Sequence, residues 1–149
     1  MRRLTTIGLC GSAVLALSAN LSFARDLPDL QIVSTELRHS GDCSGRRPLV
    51  IGEVKVQNAG QGRGQIFTTK VMLQARSKLY TTLRGDDRFV NSMRPGEIVT
   101  VEARINSSGR VTINGPVELE LVVNPVNVFP EENETNNTSK VMVDIRCPG

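Results

Sequence analysis

An all-β fold, either a sandwich or a barrel, is what this sequence predicts. Three observations predict it. Apolar and polar residues alternate with period two in a series of short segments, the mark of strands with one face buried. Turn chemistry separates these segments. No segment repeats its apolar residues with the 3.6 period of a helix.

The segments follow in chain order. Leu30 to Leu37 begins with Leu30 and Ile32 on one face, then slips to Val33, Thr35 and Leu37. A β-bulge within this strand is expected from that slip. Val54 and Val56 alternate with Glu53, Lys55 and Gln57; Phe67, Thr69, Val71 and Leu73 alternate with Thr68, Lys70, Met72 and Gln74. The glycine-rich loop Asn58 to Gly64 separates these two strands. Gly85-Asp86-Asp87 suits a hairpin turn between two short edge strands. Arg94-Pro95-Gly96 is a tight turn, in which Pro fixes φ and Gly is free to take φ > 0. Val99, Val101, Ala103 and Ile105 then alternate with Thr100, Glu102 and Arg104, and two Asn/Gly turns follow. Val117, Leu119, Leu121 and Val123 form the next apolar face, and Val141, Val143 and Ile145 the last. About seven short strands with turns between them suit a sandwich or barrel.

Residues 1–24 read as a signal peptide. Arg2 and Arg3 supply the positive start, Ile7 to about Leu17 the apolar stretch, and Ser22-Phe23-Ala24 the small-residue cleavage site. The apolar stretch is shorter than the ~20 residues a membrane span needs. Cleavage after Ala24 leaves residues 25–149 as one domain with no membrane span, in the periplasm or the medium. It also leaves 16 basic against 15 acidic side chains, a nearly neutral chain. Basic clusters are confined to Arg46-Arg47 and to Arg76 with Lys78, so nucleic acid is not the expected partner. Of the three cysteines, Cys10 departs with the leader. Cys43 and Cys147 remain, and an even pair in an exported chain predicts one disulfide.

The most specific stretch is Asn124-Pro125-Val126-Asn127-Val128-Phe129-Pro130-Glu131-Glu132-Asn133-Glu134-Thr135-Asn136-Asn137. It resembles the closing signature of the bacterial cell-adhesion-related domains, abbreviated CARDB. Asp29-Leu30, Val56-Gln57-Asn58-Ala59-Gly60 and Pro95-Gly96-Glu97 add to the resemblance, which spans Asp29 to Ile145. It implies an immunoglobulin-like antiparallel β-sandwich, found in exported proteins as an accessory module. The chain departs from the family pattern at Asn124, where the family has Asp, and in the length of the segment from Arg76 to Asn91. The cysteine pair lies outside the strands, unlike the inter-sheet bridge of antibody domains.

No catalytic constellation, cofactor or metal site is expected. Glu131, Glu132 and Glu134 are the nearest approach to a calcium ligand set, but their spacing is not that of an EF-hand. The alternative role of this loop is to bond its own backbone and set the register of the last two strands. Ser40, His39 and Asp42 are neighbours in one short loop, where the geometry of a catalytic triad is rarely reached. His39, Cys43 and Cys147 lack the spacing of a zinc site. The mature chain has only four aromatic rings, Phe67, Tyr80, Phe89 and Phe129, which counts against a sugar platform; Tyr80 and Phe89 are the expected exposed ones. A partner surface is expected on Arg76, Lys78, Tyr80, Arg84, Arg88 and Phe89, because Arg and Tyr anchor interfaces and an edge strand can accept a partner strand. The expected function is therefore non-catalytic binding of a protein or cell-surface ligand, with calcium or carbohydrate binding as the alternative.

Overall fold

The computed structural model describes residues 26–61, 66–72, 80 and 82–149. The expected leader over residues 1–24 and the proposed partner residues Arg76 and Lys78 lie outside them. The strands are β1 (Leu30–His39), β2 (Val50–Asn58), β3 (Ile66–Met72), β4 (Leu83–Gly85), β5 (Asp87–Met93), β6 (Ile98–Ser107), β7 (Asn114–Val123) and β8 (Thr138–Arg146). They form two four-stranded sheets, ordered β1-β2-β6-β4 and β5-β3-β7-β8, with every pair antiparallel. Of the sandwich and the barrel that the alternation allows, this is the β-sandwich, as the family resemblance implies. No helix among the described residues is long and apolar enough to cross a membrane.

The alternating faces sort as the side chains require. Val101, Ala103 and Ile105 of β6 are buried while Thr100, Glu102 and Arg104 face solvent. Val117, Leu119, Leu121 and Val123 of β7 are buried too. Burying each such aliphatic side chain favours the fold by about 1.5–3 kcal/mol. The core has two parts along the strand direction. One gathers Leu30, Val54, Val56, Met93, Val101 and Leu121. The other gathers Leu49, Val50, Ile105, Leu119, Val143 and Ile145, with Cys147 among them.

The expected bulge is present. The β1–β2 register shifts between Ile32 and Ser34, and Val33 between them is turned out to solvent. Val33 is thus the extra residue of the bulge rather than the first residue of the shifted face. Beyond it Thr35 and Leu37 pair with Val54 and Gly52. Pro95-Gly96 forms the expected turn: the Glu97 amide donates to the Arg94 carbonyl at 3.0 Å, and Gly96 has φ 79°.

The Gly85-Asp86-Asp87 hairpin is not formed. β4 pairs with β6 in the first sheet, and β5 pairs with β3 in the second. The chain therefore runs on through Asp86 and changes sheets there. Its partners explain the corner. The Asp86 amide donates to the Arg104 carbonyl at 2.9 Å, and its carboxylate accepts from Asn106 Nδ2 at 2.6 Å. Asp86 is held to β6 as the last rung of the first sheet, so the chain after it is released to the second.

Candidate functional site

The closing motif occupies one end of the sandwich and is a network of buried amides around one carboxylate. Asn124 and Asn127 take positive φ, 48° and 47°, which their short side chains tolerate and which turns the chain sharply after β7. Asn124 Oδ1 accepts from the Val128 amide at 2.9 Å. Its Nδ2 donates to Glu131 Oε1 at 2.6 Å, and Asn137 Nδ2 donates to the same oxygen at 2.8 Å. Glu131 Oε2 accepts from the Leu30 amide at 2.6 Å, which ties the start of β1 to the β7–β8 connection. Beside it Asn136 Nδ2 donates to the Asp29 carboxylate at 2.8 Å. Asn58, wholly buried, accepts from the Asp29 and Gly60 amides through its Oδ1.

Glu131 is only 6% exposed. Burial pushes its carboxyl above the usual carboxylate range, against the hydrogen bonds from Asn124, Leu30 and Asn137, which favour the ionised form. The nearby Asp29 charge pushes in the same direction as burial. The calcium candidates are not brought together. Glu131 is turned inward onto three N–H donors, while Glu132 and Glu134 stand in solvent. Glu131 and the Asn side chains of this stretch bond the loop and the start of β1.

The partner residues are divided by the fold. Phe89 on β5 is 67% exposed. Arg88, its neighbour, lies on the opposite face by the period-two rule, together with the buried Val90, and pairs with Asp86 at 3.7 Å. Tyr80 is not an exposed platform but packs against the second core cluster. Arg84 is exposed on β4, beside β6. Among the described members of the expected set, Phe89 and Arg84 are the exposed ones.

The other end of the sandwich carries the disulfide. Cys43 and Cys147 are bonded, with their Cα atoms 5.6 Å apart, as the cysteine count predicts. Cys147 follows β8 directly and is wholly buried, whereas Cys43 is partly exposed in the loop after β1. His39 ends β1 and sets Nε2 3.8 Å from Cys43 Sγ and 3.6 Å from Cys147 Sγ. Its Nδ1 accepts from the Arg146 amide at 3.4 Å. No triad forms around it: Ser40 Oγ donates to the Pro48 carbonyl at 2.5 Å, and the Asp42 carboxylate accepts from Ser44. Those Ser44 bonds hold the Asp42 carboxyl below its usual range. Among the described residues, His39, Cys43 and Cys147 are the group whose metal-ligating atoms converge, within 4.8 Å. The sequence names these three residues, but their spacing does not bring them together because Cys147 arrives from the far end of the chain. A shallow cavity of about 550 Å³ opens beside Cys43, with Arg46, Arg110 and Arg146 on its walls.

The CARDB family model matches residues 27–141. A solved solution structure of a domain assigned to a cell surface protein of Methanosarcina acetivorans is similar in fold. Its TM-score is 0.52 at 20% identity, over 80% of this chain and 92% of that one. No curated protein matches the chain.

Proposed function

Because the chain belongs to the CARDB family, we propose that it is a non-catalytic extracytoplasmic module that binds a protein partner through the β5 edge. The observation that carries this reading is the placement of β5. It is the outer strand of its sheet, and Phe89 projects from it with 67% of its surface in solvent. An outer strand offers unpaired N–H and C=O groups to an incoming strand, and an exposed aromatic ring beside them supplies an anchor. Arg84 adds a cation on the adjoining corner. The leader expected over residues 1–24 and the likeness to a domain assigned to a cell surface protein support the extracytoplasmic setting.

The test is a cross-linked pull-down of the tagged protein from its own cell envelope, run beside a Phe89→Asp, Arg84→Glu variant. Both side chains are exposed, so the variant should keep its stability within about 0.5 kcal/mol per site. A partner captured by the wild type and lost from the variant is the expected result. Equal capture by both removes β5 as the site. An envelope that yields no cross-linked protein removes the binding reading itself.

A further inference from the structure

We propose that Cys43–Cys147 is an exchangeable disulfide, opened at Cys43 by a small thiol that carries carboxylates. The inference is independent of the β5 edge and rests on three features of the opposite end of the sandwich.

The first is asymmetry of access. Cys43 is partly exposed and lines the cavity, whereas Cys147 is wholly buried among Ile113, Val143 and Ile145. An incoming thiolate therefore meets Cys43 Sγ, and Cys147 is the leaving sulfur.

The second is the histidine. His39 Nδ1 accepts a hydrogen bond from the Arg146 amide, so the neutral ring carries its proton on Nε2. That Nε2–H stands 3.6 Å from Cys147 Sγ and 3.8 Å from Cys43 Sγ. A leaving thiolate needs a hydrogen-bond donor at this point. A metal would need the Nε2 lone pair instead, and would force the ring proton onto Nδ1, against the Arg146 N–H. The tautomer set by the backbone thus favours stabilising a thiolate over holding a soft cation, although the same three side chains are the converging group.

The third is charge. Arg46, Arg110 and Arg146 line the cavity at Cys43. Asp144 pairs with Arg146 Nε at 2.9 Å, and the Asp42 carboxylate, bonded to Ser44, feels the Arg46 charge, so two carboxylates offset the three guanidinium groups in part and the wall keeps an excess of positive charge. Carboxylates on the incoming molecule are attracted there, and the thiolate it must present is stabilised.

The exchange balances without an external oxidant. The incoming thiol ionises and attacks Cys43 Sγ. The Cys43–Cys147 bond breaks as a new bond joins Cys43 to the incoming sulfur. Cys147 leaves as a thiolate, accepts the His39 Nε2–H hydrogen bond, and is protonated from water with the equivalent of the proton that the thiol released. One thiol and one disulfide yield one mixed disulfide and one thiol. A second equivalent of the same thiol, attacking the mixed disulfide, completes reduction of the pair and carries off the oxidised dimer of the thiol.

The test uses the oxidised, folded protein with glutathione, an anionic thiol, and with cysteamine, a cationic one. Free thiols are quenched and alkylated, and the products are read by intact mass and peptide mapping. The expected product is glutathione on Cys43 with Cys147 alkylated. At low salt, and compared per thiolate, glutathione should react about tenfold faster than cysteamine, and salt should erase the difference. His39→Leu should slow both thiols about tenfold. Arg46→Ser with Arg110→Ser should abolish the preference for glutathione alone. Modification first at Cys147, equal wild-type rates for the two thiols at low salt, or a rate no faster than global unfolding would each overturn the proposal. The comparison of thiols on the wild type stands by itself should the His39 variant fail to fold.

Discussion

The two ends of this sandwich solve one problem with different chemistry. Both must fasten β1 to the segments that flank β8. At the Leu30 end the fastening is a buried carboxylate that gathers the Leu30 amide and the side-chain amides of Asn124 and Asn137. At the His39 end it is a covalent bond between Cys43 and Cys147, with His39 lying on the sulfurs. The polar fastening acts on the folded state, since its three donors are left unpaired if the carboxylate is removed. The covalent one acts largely on the unfolded state, by closing a loop across a sequence separation of 104 residues. The closing signature thus joins β1 to the β7–β8 connection through hydrogen bonds, and the proposed thiol exchange belongs to the opposite end.

The comparison can be broken at either end. Glu131→Ala should cost the most, about 3–5 kcal/mol by urea unfolding, because three buried donors lose their acceptor and a void opens. A cost under about 1 kcal/mol would mean that water replaces the carboxylate and that the network is not a fastening. Replacing both cysteines by Ala should cost about 2–4 kcal/mol, somewhat less than the ~4.7 kcal/mol that loop entropy alone assigns to a loop of about 100 residues. It should leave the hydrogen-exchange protection of β1 near Leu30 intact relative to global unfolding. Protection lost at both ends together would show that the fastenings are not independent.

Asn124→Asp sharpens the contrast by placing a second carboxylate 2.6 Å from Glu131 Oε1. At neutral pH it should destabilise by about 1–3 kcal/mol, and the loss should shrink on acidification as one proton bridges the pair. The wild type itself should show a smaller effect of the same sign. The Glu131 carboxyl is raised in the folded state, so its favourable contribution is complete below the usual carboxylate value and is lost as pH rises through the raised one. Measured against Glu131→Gln, wild-type stability should therefore decline from about pH 4 upward. A difference that grows with pH would show that the hydrogen bonds outweigh burial. The smallest effect is expected away from both ends. Arg104→Ala removes only an exposed pair with Glu102 at 2.8 Å and should change stability by less than about 0.5 kcal/mol.

Much of the framework was legible before the structure. The apolar faces of β6, β7 and β8, the bulge in β1, the Pro95-Gly96 turn and the cysteine pair all follow from local pattern or from counting. The hairpin expectation misses for a tertiary reason. The Gly85-Asp86-Asp87 turn chemistry is genuine, but a turn can join two strands of one sheet or carry a strand from one sheet to the other. Only the bonds from Asp86 to Arg104 and Asn106, residues of another strand, select the second. The expected partner set is divided in the same way, because alternation along β5 puts Arg88 and Phe89 on opposite faces, with Arg88 paired to Asp86 and Phe89 in solvent.

The sequence by itself determined the all-β class, the two-period faces, the family and the disulfide, because each is set by residues near one another or by residue type alone. The tertiary structure decided which polar residues are buried acceptors and which are solvated, where the chain changes sheets, and that His39 meets both sulfurs. Those outcomes depend on contacts between residues up to about a hundred positions apart, such as Leu30 with Glu131 and His39 with Cys147. The loop-closing entropy of such contacts is compensated only when the whole core assembles, so no short window of sequence carries their signal.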